Sequence, residues 1–319
     1  MAITIGPGLT ITGGLFFETG ALVPDNPDRG LFGGGAENLN SNVIDYVTIS
    51  STGNATDFGD LTVARINLAA CSSSTRGLFG GGYGSIAASN VIDYVTIATT
   101  GNATDFGDLT QNREALAACS SSTRGLWAGG TTDFPTALNT IDYVTVASAG
   151  NATDFGDLTQ SRFYVSGCSS STRGLFGGGR PGSGSSNVID YVTIASTGNA
   201  TDFGDLTVAR ESTASFSSST RGVWAGGDDG SSINVIDYVT IASTGNATDF
   251  GDILSPTKFL SGCSSPTRGI MGGGNSGGNP TNVIQYVTIA SAGNATDFGD
   301  LTAVSAGLAA CSSNHGGLQ

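Results

Sequence analysis

The chain is built on a sixfold internal repeat, and this feature limits the possible folds more than any other. The octet Gly-Asn-Ala-Thr-Asp-Phe-Gly-Asp occurs six times at intervals of 47 to 49 residues, starting at Gly53, Gly101, Gly150, Gly198, Gly245 and Gly293. Each octet follows a copy or close variant of Ile-Asp-Tyr-Val-Thr-Ile, which itself follows an Arg-Gly pair and a triplet of small residues. A single repeat of this size cannot bury its own apolar face, so the copies are predicted to pack against one another.

Composition and pattern favour strands over helices. The chain has 50 glycines among 319 residues and only 12% charged residues, which disfavours helices, while 38% hydrophobic residues can supply a core. One period, residues 66 to 109, carries four strand signals at about 66 to 73, 77 to 82, 91 to 98 and 103 to 109. The sequence therefore predicts an all-β fold with four short antiparallel strands in each repeat.

Three sets of residues recur at equivalent positions of the repeat. A double glycine ends each second strand, beginning at Gly33, Gly80, Gly129, Gly177, Gly226 and Gly272. A tyrosine lies in each third strand, at Tyr46, Tyr94, Tyr143, Tyr191, Tyr238 and Tyr286. A phenylalanine lies in each fourth strand, at Phe58, Phe106, Phe155, Phe203, Phe250 and Phe298. The glycines and tyrosines resemble those of the kelch family of β-propellers, which has a tryptophan where this chain has the phenylalanines. The resemblance covers about 290 residues and implies a β-propeller with four antiparallel strands per blade.

Counting repeats predicts six blades and the way in which the ring closes. The chain enters at the second strand of the first blade, Gly30 to Gly35, and ends in a segment like a first strand, Leu301 to Ser313. We therefore expect a six-bladed β-propeller closed by the C-terminal strand, which would complete the first blade.

The first 28 residues lie outside the repeat. Apolar residues alternate there with Thr and Gly, which is typical of a strand that could pair with the sheet of a partner or pack on its own propeller. The opening segment, residues 1 to 14, resembles the starts of structural proteins from tailed-phage virions, and the near-identical repeats resemble those of marine phages. We expect two parts: an arm at 1–28 that could serve in attachment, and a propeller at 29–319.

Charge and cysteine content oppose several classes of function. The net charge of -14 disfavours nucleic acids and anionic membranes as partners, and no apolar run is long enough to span a membrane. No Lys or Arg precedes Arg29, so a cationic secretory signal is not expected. The odd count of five cysteines, at equivalent positions of the repeat, predicts free and buried thiols.

Most charged residues occupy repeated positions, which suggests a structural role. The Asp of the third strand is expected to pair with an Arg of the same or the next blade, although a role in ligand binding is the alternative. The Asn and Asp residues of the octets suit tight turns, and calcium ligation is the other reading of the same spacing.

An enzymatic role is not predicted, and neither is a cofactor or a metal. The only histidine, His315, lies in the tail, and the carboxylates recur sixfold, whereas catalysis needs one asymmetric site. A sugar-active enzyme is therefore the least favoured of the alternative functions.

The repeats diverge in two of their four connections. Antiparallel strands place the connection between the second and third strands at the same end as the entrance to the first strand. The former connections span 36 to 42, 83 to 90, 131 to 140, 180 to 187, 228 to 234 and 275 to 282. The other two connections hardly change. Varied loops on a constant scaffold are typical of a recognition surface, and neutral drift is the alternative.

The candidate ligand-binding residues are the charged and aromatic residues of these varied segments. They are Arg65, Tyr83, Arg113, Asp133, Phe134, Arg162, Tyr164, Arg180, Arg210, Asp228, Asp229 and Lys258. We expect a non-enzymatic structural and binding protein of a virion that presents these loops to a host-surface glycan or protein and contacts other virion proteins, with residues 1–28 as the candidate contact segment. The alternative is a cytoplasmic kelch-like adaptor that binds an intracellular protein.

Overall fold

The computed structural model describes residues 28–318 as an all-β structure of six four-stranded antiparallel sheets and one three-stranded sheet. Among these residues the only helical element is the 3₁₀ turn Gly316–Leu318, and none of them belongs to a helix that could cross a membrane. The predicted all-β class is confirmed.

Each four-stranded sheet corresponds to one repeat, and we number the sheets 1 to 6 along the chain. Their strands, given from first to fourth in spatial order, are as follows. Sheet 1 contains β27 (Ala309–Ser312), β1 (Arg29–Gly33), β2 (Val43–Thr48) and β3 (Thr56–Asp60). Sheet 2 contains β4 (Ala69–Ser72), β5 (Arg76–Gly80), β6 (Val91–Thr96) and β7 (Thr104–Asp108). Sheet 3 contains β8 (Ala117–Ser120), β9 (Arg124–Ala128), β10 (Thr140–Thr145) and β11 (Thr153–Asp157).

The remaining repeats follow the same plan. Sheet 4 contains β12 (Ser166–Ser169), β13 (Arg173–Gly177), β14 (Val188–Thr193) and β15 (Thr201–Asp205). Sheet 5 contains β16 (Ala214–Ser217), β17 (Arg221–Ala225), β18 (Val235–Thr240) and β19 (Thr248–Asp252). Sheet 6 contains β21 (Ser261–Ser264), β22 (Arg268–Gly272), β25 (Val283–Thr288) and β26 (Thr296–Asp300). The three-stranded sheet, which the sequence did not predict, contains β20 (Thr257–Lys258), β23 (Asn275–Ser276) and β24 (Asn279–Pro280).

The two ends of the described chain meet in sheet 1. Strand β27 pairs antiparallel with β1, and Leu31 lies opposite Cys311. The predicted pairing of the C-terminal strand with the first repeat is therefore confirmed. Each first strand also contacts the first strand of the next sheet, and β27 of sheet 1 contacts both β21 and β4.

The core lies between neighbouring sheets, where glycines allow close approach. A Cβ on Gly125 of sheet 3 would lie 2.7 Å from the Sγ atom of Cys71 in sheet 2, and equivalent contacts recur around the molecule. This contact explains the constant Gly after Arg, because any larger residue would meet the thiol of the preceding sheet. All five cysteines are free and buried, as predicted.

The octets join neighbouring sheets. The side-chain Oδ1 of Asn102 accepts a hydrogen bond of 3.2 Å from the backbone N–H of Asp60 in the preceding repeat. The same bond recurs in all six copies, including Asn54 with Asp300. The expected turn chemistry of this asparagine is therefore corrected to a contact between repeats. Within residues 28–318, no group of three or more His, Cys, Asp or Glu residues is arranged to hold a metal.

A serine in each first strand makes a second set of contacts between repeats. The hydroxyl of Ser120 donates to the carbonyl of Ser72 at 2.7 Å, and Ser72 donates to the carbonyl of Ser312 at 2.7 Å. The other four serines continue the series, so that each first strand is bonded to the one before it. Each bond uses a side chain, which explains why the serine is constant.

Candidate functional site

The varied segments meet at one end of the six sheets, which we call the variable end. It consists of the six connections between second and third strands together with the six entrances to the first strands. The opposite end, formed by links such as 73–75 and 97–103 and their equivalents, is called the constant end.

Six equivalent residues form the centre of the variable end. They are Asn67, Ala115, Tyr164, Ser212, Phe259 and Gly307, and each has a positive φ angle, between 54° and 67°. The backbone N–H of each donates to the carbonyl of its equivalent in the preceding repeat at 2.7 to 3.1 Å, and Asn67 donates to Gly307. Because these six bonds use only backbone atoms, they hold the segment in place whatever the side chain is.

The two varied segments of each sheet also pair with each other. Glu114 pairs with Thr131 in sheet 3, Phe163 with Arg180 in sheet 4, and Glu211 with Asp228 in sheet 5. In sheet 6 the same pairing has become β20 with β23. Sequence alone indicated that both segments lie at the same end, and the structure brings them into direct contact.

Four aromatic side chains form a cluster across three repeats. The rings of Phe134 and Tyr164 are stacked with centroids 5.6 Å apart, and Phe134 meets Phe163 edge to face at 5.0 Å. Tyr164 also contacts Phe259 of sheet 6 at 5.2 Å. Phe134 is 41% exposed, so the cluster presents an apolar surface beside the centre of the variable end. Such a surface can stack on a sugar ring or hold an apolar side chain.

Charged residues border the aromatic cluster. Lys258 forms an ion pair of 2.5 Å with Asp228, and its ammonium lies 5.6 Å from the centroid of the Phe259 ring. Arg180 lies 3.4 Å from Glu211. These partly exposed pairs contribute little stability, because water screens them. Their polar groups are therefore available to a ligand at little cost in stability.

Burial changes the acid strength of several of these groups. It raises the pKa of Glu211, which Arg180 partly offsets, and the pKa of Glu114, which a 3.0 Å hydrogen bond from Asn67 partly offsets. Burial, together with the charges of Glu114 and Glu211, raises the pKa of Tyr164. Burial also opposes ionisation of Asp228, but the hydrogen bonds from Lys258 and from the Gly230 N–H, together with the charges of Lys258 and Arg180, outweigh it and lower the pKa of this carboxyl.

Eight of the twelve predicted site residues lie where a ligand could reach them. Tyr83 is 36% exposed, and Asp133 and Asp229 are exposed like Phe134. The partly buried ones are Tyr164, Arg180, Asp228 and Lys258.

The other four predicted site residues, Arg65, Arg113, Arg162 and Arg210, are fully buried and cannot line the surface. Each forms an ion pair with the Asp of the third strand of its own sheet, at distances from 2.6 Å in Arg65 with Asp93 to 3.0 Å in Arg210 with Asp237. The predicted pairing of this Asp with an Arg is thus confirmed, and in sheets 2 to 5 both partners belong to the same sheet. The prediction that these four arginines bind a ligand is wrong, because they lie buried beneath the site. Lys258 is not their equivalent, because the position aligned with them in sheet 6 is Thr257.

Five residues of the site were missing from the predicted set: Asn67, Glu114, Phe163, Glu211 and Phe259. Each of them lies one or two residues after the position of the buried arginine in its repeat. Their variation among repeats was the available signal. The sequence instead favours the neighbouring arginines, because they are charged. Their burial cannot be read from the local pattern, since it depends on an Asp that is distant in sequence.

The constant end is occupied by the C-terminal tail. The Nε2 of His315 lies 3.2 Å from the Ser120 hydroxyl and 3.2 Å from the Ser72 carbonyl, and its Nδ1 accepts from the Gly317 N–H. Burial lowers the pKa of His315 to about 4, so the ring is neutral at pH 7. The histidine thus caps the inner serines.

Comparison with known proteins gives no relative: no family model matches the chain, and no curated protein matches it.

Proposed function

We propose that the six sheets are the blades of a closed six-bladed β-propeller of kelch-like type, formed by residues 29–319. The pairing of β27 with β1 supports closure, and so do the hydrogen bonds from Asn67 to Gly307 and from Ser72 to Ser312. The first contact joins the two ends of the described chain within sheet 1. The other two join the C-terminal strand segment of sheet 1 to sheet 2 in the same way as neighbouring sheets are joined elsewhere.

The propeller functions as a non-enzymatic binding module whose variable end recognises a host-surface ligand. The observation that carries this proposal is the cluster of Phe134, Phe163, Tyr164 and Phe259, bordered by Lys258 and Arg180, at the one end where the repeats differ. An exposed aromatic surface next to carboxylates and cations suits a carbohydrate, which stacks its apolar face and hydrogen-bonds its hydroxyls. A protein ligand with an apolar anchor is the alternative occupant.

The protein acts as a structural component of a virus particle in this proposal. Support comes from the resemblance of residues 1 to 14 and of the repeats to tailed-phage virion proteins. Residues 1–27, for which an attachment role is proposed, lie outside the described part of the chain.

Binding of the purified chain to a glycan array and to whole candidate host cells tests the proposal. Phe134→Ala is expected to weaken binding about tenfold or more, because a central aromatic contact typically contributes over 1 kcal/mol. Thr100→Ala, an exposed change at the constant end, is the control and should bind like the unchanged chain. Equal binding by both variants would overturn the assignment to the variable end. Capture of an intracellular protein without any binding to glycans or cells would support the adaptor function instead.

A further inference from the structure

Sheets 2 to 5 each contain a binding site for a guanidinium group, which the chain fills with its own arginine. In sheet 2, Arg65 Nη2 lies 2.6 Å from Asp93 Oδ2, and Nη1 donates to the carbonyls of Gly81 and Val91, both at 2.7 Å. The carbonyl of Phe79 lies 3.4 Å from Nη2. Arg113, Arg162 and Arg210 have equivalent carboxylate and carbonyl partners in their own sheets.

Sheet 6 has replaced both members of the ion pair. Thr257 takes the place of the arginine, and Gln285 takes the place of the aspartate. The Oε1 atom of Gln285 accepts a 2.8 Å hydrogen bond from the backbone N–H of Leu254. This sheet therefore carries no charge at the position and does not need a cation.

Sheet 1 has replaced only the arginine. Ser305 stands at the arginine position, while Asp45 keeps the carboxylate. Thr302 donates to this carboxylate from its backbone N–H at 2.9 Å and from its hydroxyl at 2.8 Å. The equivalent threonine does the same in sheets 2 to 5, where an arginine is also present. Within residues 28–318, Asp45 forms no ion pair, although it is only 6% exposed.

The remaining parts of the guanidinium site line a pocket in sheet 1. Phe32, Gly34, Val43, Asp45 and Ser305 are the equivalents of Phe79, Gly81, Val91, Asp93 and Arg65, and all five line one pocket of about 1040 Å³, including its part open to solvent. Its outer wall contains the exposed Glu37, Asn38 and Leu39. Glu37 adds a second acidic group at the entrance.

We propose that this pocket, which we call the sheet 1 acidic pocket, binds the guanidinium group of an arginine side chain presented by a partner protein. The carboxylate of Asp45 and the carbonyls of Phe32, Gly34 and Val43 would hold it as their equivalents hold the chain's own arginines. A planar group with several donors matches one carboxylate and several carbonyls better than a compact ammonium does.

The electrostatics of Asp45 agree with this assignment. Burial raises the pKa of the Asp45 carboxyl; the hydrogen bonds from Thr302 oppose this rise, and Asp57 adds to it. A bound cation would favour the ionised form. A positive charge in the pocket would thus stabilise the ionised Asp45 carboxylate, and the described residues do not supply that charge.

The test uses the full chain and isothermal titration with three probes: ethylguanidinium, ethylammonium and arginine capped at both ends. One molecule of ethylguanidinium is expected to bind per chain, more tightly than ethylammonium, and capped arginine should bind at least as well as ethylguanidinium. Equal binding of the two simple cations would overturn the assignment to a guanidinium group. Binding of ethylguanidinium without binding of capped arginine would overturn the assignment to a protein-borne arginine.

Two variants of the sheet 1 acidic pocket act as controls. Asp45→Asn removes the buried carboxylate of the pocket and should abolish binding. Ser305→Arg supplies the group from within the chain, so it should also abolish binding and should raise the unfolding temperature. This variant is not expected to lose stability, so a loss of binding would not come from unfolding. Unchanged binding in the folded Ser305→Arg variant would contradict the proposal.

A matched variant in sheet 5 extends the test. Arg210→Ser recreates in sheet 5 the residues of sheet 1 and should raise the stoichiometry from one bound ethylguanidinium per chain to two. The unfolding temperature of this variant should be higher in the presence of ethylguanidinium than in the presence of ethylammonium. If the folded variant kept the unchanged stoichiometry, the equivalence between the two sites would be wrong.

Discussion

The two ends of the molecule differ in whether side chains take part in joining neighbouring repeats. At the constant end, backbone bonds such as that from the Gly101 N–H to the Phe58 carbonyl are joined by side-chain bonds from the amide of Asn102, the hydroxyl of Ser120 and their equivalents. At the variable end the central contacts use only the backbone, as between Ala115 and Asn67. A side-chain bond fixes the residue type, whereas a backbone bond leaves the residue free to change. This difference explains why one end is nearly invariant while the other carries six different residues at one position.

The largest effect is expected from the buried Arg–Asp pair below the variable end, which sheets 2 to 5 share. Arg113→Thr leaves Asp142 buried without its cation, and this should lower the free energy of unfolding by about 3 to 5 kcal/mol. Denaturant unfolding at pH 7 measures the loss. The double variant Arg113→Thr with Asp142→Gln reproduces the neutral residues of sheet 6 and should recover part of it. If the double variant were no more stable than the single one, the loss would not come from the unpaired carboxylate.

A change of intermediate size is expected at a close approach between sheets 2 and 3. Gly125→Ala would place a Cβ about 2.7 Å from Cys71 Sγ, and overpacking of this kind should lower the free energy of unfolding by roughly 1 to 3 kcal/mol. Thermal and denaturant unfolding check the value. Cys71→Gly removes the thiol, so in the Cys71→Gly background Gly125→Ala should lower the free energy of unfolding by less than it does when the cysteine is present. Strictly additive effects of the two substitutions would contradict the proposed contact.

The smallest effects compare the two ends directly. Asn102→Ala removes the acceptor for the Asp60 N–H and should lower the free energy of unfolding by about 1 kcal/mol. Ala115→Gly keeps the backbone bonds of the variable end and gives the residue found at Gly307, so its effect should stay within about 0.5 kcal/mol. The same unfolding measurement serves both variants. A larger loss for Ala115→Gly than for Asn102→Ala would break the distinction between side-chain and backbone contacts.

Much of the fold could be predicted because the residue pattern of each strand occurs six times in the sequence. Of the segments predicted in the second repeat, 77 to 82 overlaps β5 and 91 to 98 contains β6, and the last strand pairs with the first repeat as expected. Less of the site could be predicted. Tyr83, Phe134 and Asp229 are exposed as expected, but Arg65 and its equivalents are buried because an Asp about 28 residues away neutralises each of them.

The sequence by itself determined the number and order of the strands in the six four-stranded sheets, the free cysteines and the division into constant and varied connections, because each depends on a local pattern that the chain repeats. Only the tertiary structure decided which charges reach the surface, which aromatic rings meet, and that Asp45 lines a pocket where its equivalents hold an arginine. Those outcomes depend on contacts between residues distant in sequence. The consequence of a single replacement such as Ser305 can therefore be seen only together with the groups that surround it in the fold.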